Sequence, residues 1–141
     1  MKDRIEKIKS LSEPFMKSIF YTPANEKNIL DFEKSNNIAI PKPYKEFLRL
    51  TNGAILFGGD AFLYGVSGDI KYHVNHDFTE GQIPKQLLIL GYYRDRHICY
   101  DYRYDIFVFY KEEEYEHIKE ECMIFDDFGE VLDYAIDIAE S

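Results

Sequence analysis

Residues 38–53 read Ile38-Ala39-Ile40-Pro41-Lys42-Pro43-Tyr44-Lys45-Glu46-Phe47-Leu48-Arg49-Leu50-Thr51-Asn52-Gly53, and the fold is decided here. Pro41 and Pro43 suit the approach and first turn of a helix, where a missing N–H has no consequence. Tyr44, Phe47, Leu48 and Thr51 follow the i, i+3, i+4, i+7 spacing of one buried helical face. Asn52-Gly53 then stands where a helix ends in a left-handed residue. No side chain in the stretch activates a nucleophile or holds a metal. It reads as scaffold.

Pro41, Tyr44, Phe47, Leu48, Asn52 and Gly53, with Phe32-Glu33 and Ile40-Pro41 ahead of them, resemble the signature of the SUKH superfamily. That superfamily includes bacterial immunity proteins and fungal cell wall assembly and glucan synthesis regulators. Downstream, Phe62-Leu63-Tyr64-Gly65-Val66 resembles its short strand ending in Tyr-Gly or Phe-Gly. Leu87–Gly91 and Ile98–Asp101 resemble its next strands, and Asp126–Ala139 its closing helix. The chain departs from the pattern in lacking Trp and in continuing Asn-Gly with Ala54-Ile55-Leu56. The family has no established catalytic group. The resemblance therefore implies a non-enzymatic protein-binding module without a cofactor: an immunity protein that blocks a toxin domain, often a nuclease. The alternative it implies is a regulatory scaffold of the cell wall regulator type, bound to a non-toxic enzyme.

The chain has 141 residues, the length of one domain, residues 1–141, with enough chain to bury a core unaided. Hydrophobic residues are 45%, which excludes a disordered chain. There are 12 Tyr and 11 Phe; tyrosine's apolar ring and polar tip suit either a core edge or a binding surface. Cys99 and Cys122 are the two cysteines, and the charged start Met1–Lys7 has no apolar secretory core. A cytoplasmic protein with reduced thiols is expected. No apolar run approaches membrane-spanning length.

Charge divides the chain. Residues 1–71 carry a net +2 and residues 72–141 a net −11. An acidic second half argues against nucleic acid, which calls for a positive footprint, and favours a basic protein partner such as a toxin domain. Glu112, Glu113, Glu114, Glu116, Glu120 and Glu121 form the densest acidic run, with Tyr110 and Tyr115 interleaved. Charge speeds encounter and aromatics supply contact energy, so this run is the expected partner surface.

The remaining elements follow from periodicity. A short helix is expected over 2–10, and a second from Thr22-Pro23 to about Ser35, ended by Asn36-Asn37. From Ala54 the pattern becomes extended. Ala54–Phe57 and Ala61–Val66 flank the turn Gly58-Gly59-Asp60, and Ser67-Gly68-Asp69 is another turn. Gln86–Leu90, His97–Tyr102 and Asp105–Tyr110 read as strands, with Tyr93-Arg94-Asp95-Arg96 a polar connection. Lys111–Glu121 suits a helical turn or an extended connection. Asp127 with Glu130 has capping-box form ahead of an apolar helical stripe, Val131, Leu132, Ala135, Ile136 and Ala139. Helices, then strands, then a helix predict an α+β fold with a mainly antiparallel sheet.

His73-Val74-Asn75-His76-Asp77 groups metal-ligand residue types, but zinc needs three or four placed ligands and no third is fixed here, so a polar loop is expected. Gly58, Gly59, Gly65 and Gly68 lack the spacing of a phosphate or dinucleotide loop and read as turn residues. Paired acids such as Asp126-Asp127 read as a solvated face.

Overall fold

The structure is a computed structural model and describes residues 1–11, 16–68, 73–74, 86–111, 118 and 122–141. In chain order the elements are α1 (Lys2–Ser10), β1 (Ile19–Phe20), α2 (Glu26–Asn36), α3 (Lys42–Leu48), β2 (Ala54–Leu56), β3 (Ala61–Leu63), β4 (Leu87–Tyr93), β5 (Arg96–Asp101), β6 (Ile106–Tyr110), β7 (Met123–Phe125) and α4 (Phe128–Glu140). The strands form a seven-stranded sheet in the order β1 to β7. Every neighbouring pair is antiparallel. The expected α+β class with an antiparallel sheet and helices from both ends of the chain is what the molecule has.

Three helices share one face of the sheet. Contacts join α1 to α4, α3 to α4, and α4 to β7. Phe128, fully buried on α4, brings its ring to 4.7 Å from Tyr44, 5.3 Å from Phe47 and 5.8 Å from Phe107. Helix, helix and sheet therefore meet on one aromatic junction, which is where aromatic rings bury most area per residue.

The opening stretch behaves largely as its spacing predicts. Tyr44, Phe47, Leu48 and Thr51 are all buried. The helix, however, ends at Leu48, and Thr51–Gly53 forms a separate turn. There the Thr51 hydroxyl donates to the Gly53 carbonyl at 2.5 Å and accepts from the Tyr21 amide at 2.9 Å. The Asn52 amide bridges to the segment that follows β3, donating to the Ser67 carbonyl at 2.7 Å and accepting from the Val66 N–H at 2.8 Å. Gly53 has φ +92°, and a Cβ there would sit 2.7 Å from the Leu63 carbonyl oxygen. The Asn-Gly pair is thus a clasp between α3 and β3.

Tyr44 does comparable work deeper in. Its hydroxyl donates to the Tyr64 carbonyl at 2.5 Å and approaches the Leu90 carbonyl at 3.3 Å. Leu90 lies at a β-bulge, where the β4–β5 register shifts between Ile89 and Gly91. Its carbonyl accepts from the Tyr64 N–H at 2.8 Å, and the Tyr44 hydroxyl adds a second, longer contact.

Other expectations shift in detail. The second helix starts at Glu26, not after Thr22, because Asn25 caps it: Asn25 and Asn28 exchange side-chain-to-backbone bonds at 2.8 and 3.1 Å. The Thr22-Pro23-Ala24 segment is tied elsewhere, the Thr22 carbonyl accepting from Asn52 N and Ala24 N donating to the Leu48 carbonyl. Asn37 ends the helix in the left-handed region. The Tyr93–Arg96 connection narrows to Arg94-Asp95, since Tyr93 closes β4 and Arg96 opens β5 as register partners. Asp127 caps α4 through the Gly129 N–H at 2.7 Å, without the reciprocal bond of a capping box. The edge strands β1 and β7 are additions to the expected set.

Candidate partner-binding face

Register places one lateral row on the sheet face turned away from α4. Residues paired across antiparallel strands share a face. Ile19 pairs with Ile55, Ile55 with Phe62, Phe62 with Tyr92, Tyr92 with His97, and His97 with Tyr110. The adjacent row, Leu63, Gly91, Ile98 and Phe109, points the other way, toward the helices. Along the first row Ile19 is 44% exposed and Ile55, Phe62, Tyr92 and His97 are half-buried. Tyr92 packs on His97 at 4.6 Å between ring centroids and edge-on to Tyr64 at 6.4 Å. A rigid ladder therefore presents isoleucine, phenylalanine, tyrosine and histidine side by side, partly open to solvent.

Tyr110 ends the row differently. It is 1% exposed, and every position of β6 is buried. This corrects the expectation that its ring stands on an exposed surface with the acidic run. β6 is an interior strand between β5 and β7, and both of its faces are covered. Glu112, Glu113, Glu114, Tyr115, Glu116, Glu120 and Glu121 lie outside the described residues. Within that run Ile118, and just after it Cys122, are buried. Cys122 lies near enough to Cys99 to bear on its ionisation, although burial is the main cause that pushes the Cys99 thiol up. Both cysteines are free thiols and buried, as small hydrophobes would be.

His73 is exposed, its ring 5.8 Å from that of Phe32 and edge-on to it, and its backbone bridges to Gly65. His76 and Asp77 lie outside the described residues. Among the described residues no group of three metal-ligating side chains converges. The buried carboxylate of Asp101 is structural: it accepts from the Arg103 backbone N–H at 2.9 Å and from its guanidinium at 2.8 and 3.1 Å. A buried charge held this way turns a tight corner.

The tyrosines divide between the two roles open to them. Tyr44, Tyr64, Tyr93, Tyr100 and Tyr110 are core, whereas Tyr92 joins the half-open row. That row escapes sequence reading because it depends on register across five strands and on one bulge.

An antiparallel sheet with an Asn-Gly clasp, a Pro-started α3 and a buried tyrosine hydroxyl bonded to the Tyr64 carbonyl is the architecture the signature residues build. The family model for the SMI1 / KNR4 family (SUKH-1) matches residues 23–133. The chain belongs to that family. It is also 36% identical over 76 residues to the uncharacterized protein YnaB of Bacillus subtilis (strain 168), covering 54% of this chain and 49% of that one. The chain thus matches about half the length of that relative. No helix among the described residues is long and apolar enough to cross a membrane.

His97 gives this SUKH-1 face a pH dependence. Burial pushes its imidazole below the ordinary value of 6.5. The unfolded chain then binds a proton that the folded chain resists, so stability rises with pH across that window. The full contribution is present above about pH 6.5 and is lost as pH falls through the lower folded value. Denaturation midpoints at pH 7.5 and 5 should therefore differ more for the native chain than for His97→Gln. Equal differences in the two proteins would remove His97 from the acid response.

Proposed function

We propose that this SUKH-1 protein is an immunity protein: it neutralises a toxin domain by occupying it, without turnover. The observation that carries this reading is the half-open row Ile19, Ile55, Phe62, Tyr92 and His97, set on a rigid sheet. Aromatic anchors on a pre-formed surface give a partner contact energy at low ordering cost. The net −11 of residues 72–141 adds long-range attraction for a basic domain, and a nuclease, which must hold phosphate, is basic where it acts. In this reading the acidic run Glu112–Glu121 steers the encounter and the sheet row holds the complex.

The test is capture of the products of genes beside its own on the immobilised protein, at low and high salt, followed by an activity assay of what is captured. Tight, salt-sensitive capture of a basic toxin domain, with its activity abolished, supports the reading. Given that partner, Glu113→Lys with Glu116→Lys should slow association by about tenfold at low salt and leave dissociation nearly unchanged. Phe62→Ala should do the reverse and speed dissociation. Capture of a non-toxic enzyme instead would assign a regulatory scaffold.

A further inference from the structure

One polar atom on the helix-bearing side of the sheet is unaccounted for. Tyr93 is 6% exposed, and its hydroxyl has no hydrogen-bond partner among the described residues. Buried hydroxyls are nearly always paired, so one that is not asks for an explanation. Burial pushes its pKa above the ordinary value of 10.0, so at neutral pH the hydroxyl keeps its proton and can donate it. Arg94, Asp60 and Tyr134 also bear on its ionisation, which puts the hydroxyl close to all three.

A cleft opens at the same place. It has a volume of about 290 Å³, with Tyr93, Arg94, Phe109, Met123 and Tyr134 in its lining. The wall is aromatic. Tyr93 stacks on Phe109 at 5.2 Å with the rings nearly parallel, and Tyr134 meets both rings edge-on at 5.6 Å. Such a wall suits one further ring, since ligand clefts are mostly apolar with a few placed polar groups. The charged side chains around it have partners of their own. Arg94 meets Asp60 at 3.4 Å, Asp95 meets Lys111 at 2.8 Å, and the Arg96 guanidinium meets the Phe109 carbonyl at 3.5 Å. The cleft thus asks for an acceptor to match one neutral donor, and for no counter-charge.

The side chains over the hydroxyl are the flexible ones. The Arg94 guanidinium lies over the Tyr93 ring, 5.5 Å from its centre, and its pair with Asp60 is exposed, where ion pairs contribute little. Met123 is unbranched and 43% exposed. Both can swing aside at low cost, whereas the backbone beneath is fixed: the Arg94 N–H donates to the Asp60 carbonyl at 2.8 Å.

We propose that the cleft between the β4–β5 hairpin and α4 binds a small uncharged aromatic molecule bearing a carbonyl, its ring against the Tyr93–Phe109–Tyr134 wall and its carbonyl accepting from the Tyr93 hydroxyl. The site lies apart from the half-open row and does not rest on the immunity reading.

The test is titration of the isotope-labelled full chain with benzamide, read by backbone amide shifts. Acetamide, benzylamine and benzoate are the counterparts that lack the ring or carry a charge. Benzamide should produce saturable shifts at Tyr93, Arg94, Met123 and Tyr134, and each counterpart should bind at least about tenfold more weakly. Tyr93→Phe keeps the stacked ring and removes only the unpaired hydroxyl. It should therefore keep its denaturation midpoint and a native spectrum, and weaken benzamide by about fivefold. Absence of saturable benzamide shifts at these residues would overturn the site. So would any counterpart binding as tightly as benzamide, or unchanged benzamide binding in Tyr93→Phe.

Discussion

Gly91→Ala is expected to destabilise the protein by about 4 kcal/mol, at the upper end of what single substitutions do. A Cβ at Gly91 would lie 2.0 Å from the Phe62 carbonyl oxygen, 3.0 Å from its carbonyl carbon and 3.1 Å from the Leu63 Cα. All three are backbone atoms of β3, so no side-chain rotation relieves the overlap. The strands would have to part where β3 and β4 pair through Leu63 and Gly91, beside the bulge at Leu90. Denaturant unfolding reads this directly as a shift in midpoint. Gly68→Ala is the matched comparison. Gly68 also lacks a Cβ, but at φ +77° nothing lies within 4 Å of the added atom, so only the left-handed backbone opposes it, at about 1 kcal/mol. Similar losses at the two positions would mean that β3 and β4 do not approach as closely as described. A domain with ordinary stability of about 5–15 kcal/mol would survive the second substitution and be seriously compromised by the first.

The same geometry shows what the residues announce and what they conceal. The α3 stretch is legible because its apolar residues repeat at helical spacing over two turns, and each of them is buried. The closing helix is legible for the same reason. β1 and β7 are not: two residues, Ile19-Phe20, and three, Met123-Ile124-Phe125, are too short to display a period. They are strands because a longer neighbour offers them a ladder. Thr22-Pro23 resembles a helix start yet lies extended, since its backbone groups bond to Leu48 and Asn52; tertiary partners override a local cap signal. The candidate face was the least legible part. Tyr110 reads as a surface aromatic beside the acids and is core, whereas Tyr92 and Phe62, which the sequence pattern assigns to neither face, are half-open. Which side of the sheet a residue takes depends on register, and a single bulge changes the alternation for the rest of the strand.

Phe128→Ala is expected to cost about 4 kcal/mol, the range found when a fully buried phenylalanine is truncated. Phe128 is fully buried and lies against Tyr44 and Phe47 of α3 and Phe107 of β6. Removing the ring opens a cavity bounded by three elements, none of which can close it alone. The effect should reach the bulge. The Tyr44 ring meets Phe128 nearly at right angles, and that contact helps aim its hydroxyl at the Tyr64 and Leu90 carbonyls. Tyr44→Phe by itself keeps the ring and strips the Tyr64 carbonyl of its hydroxyl donor, a loss of about 1–3 kcal/mol. If Phe128 positions that hydroxyl, the double variant will lose less than the two single losses combined, by about 0.5 kcal/mol or more. Additive losses would mean that the hydroxyl holds its place without the ring. A Phe128→Ala loss below about 2 kcal/mol would mean that the junction collapses readily onto the gap. The first outcome makes the signature tyrosine part of one unit with the closing helix. It would explain why a stretch of 16 residues, 38–53, carries so much of the fold while holding so little of the chemistry. Its tyrosine, asparagine and glycine are engaged with β3, the segment that follows it and β4, and none of them belongs to the outer sheet row.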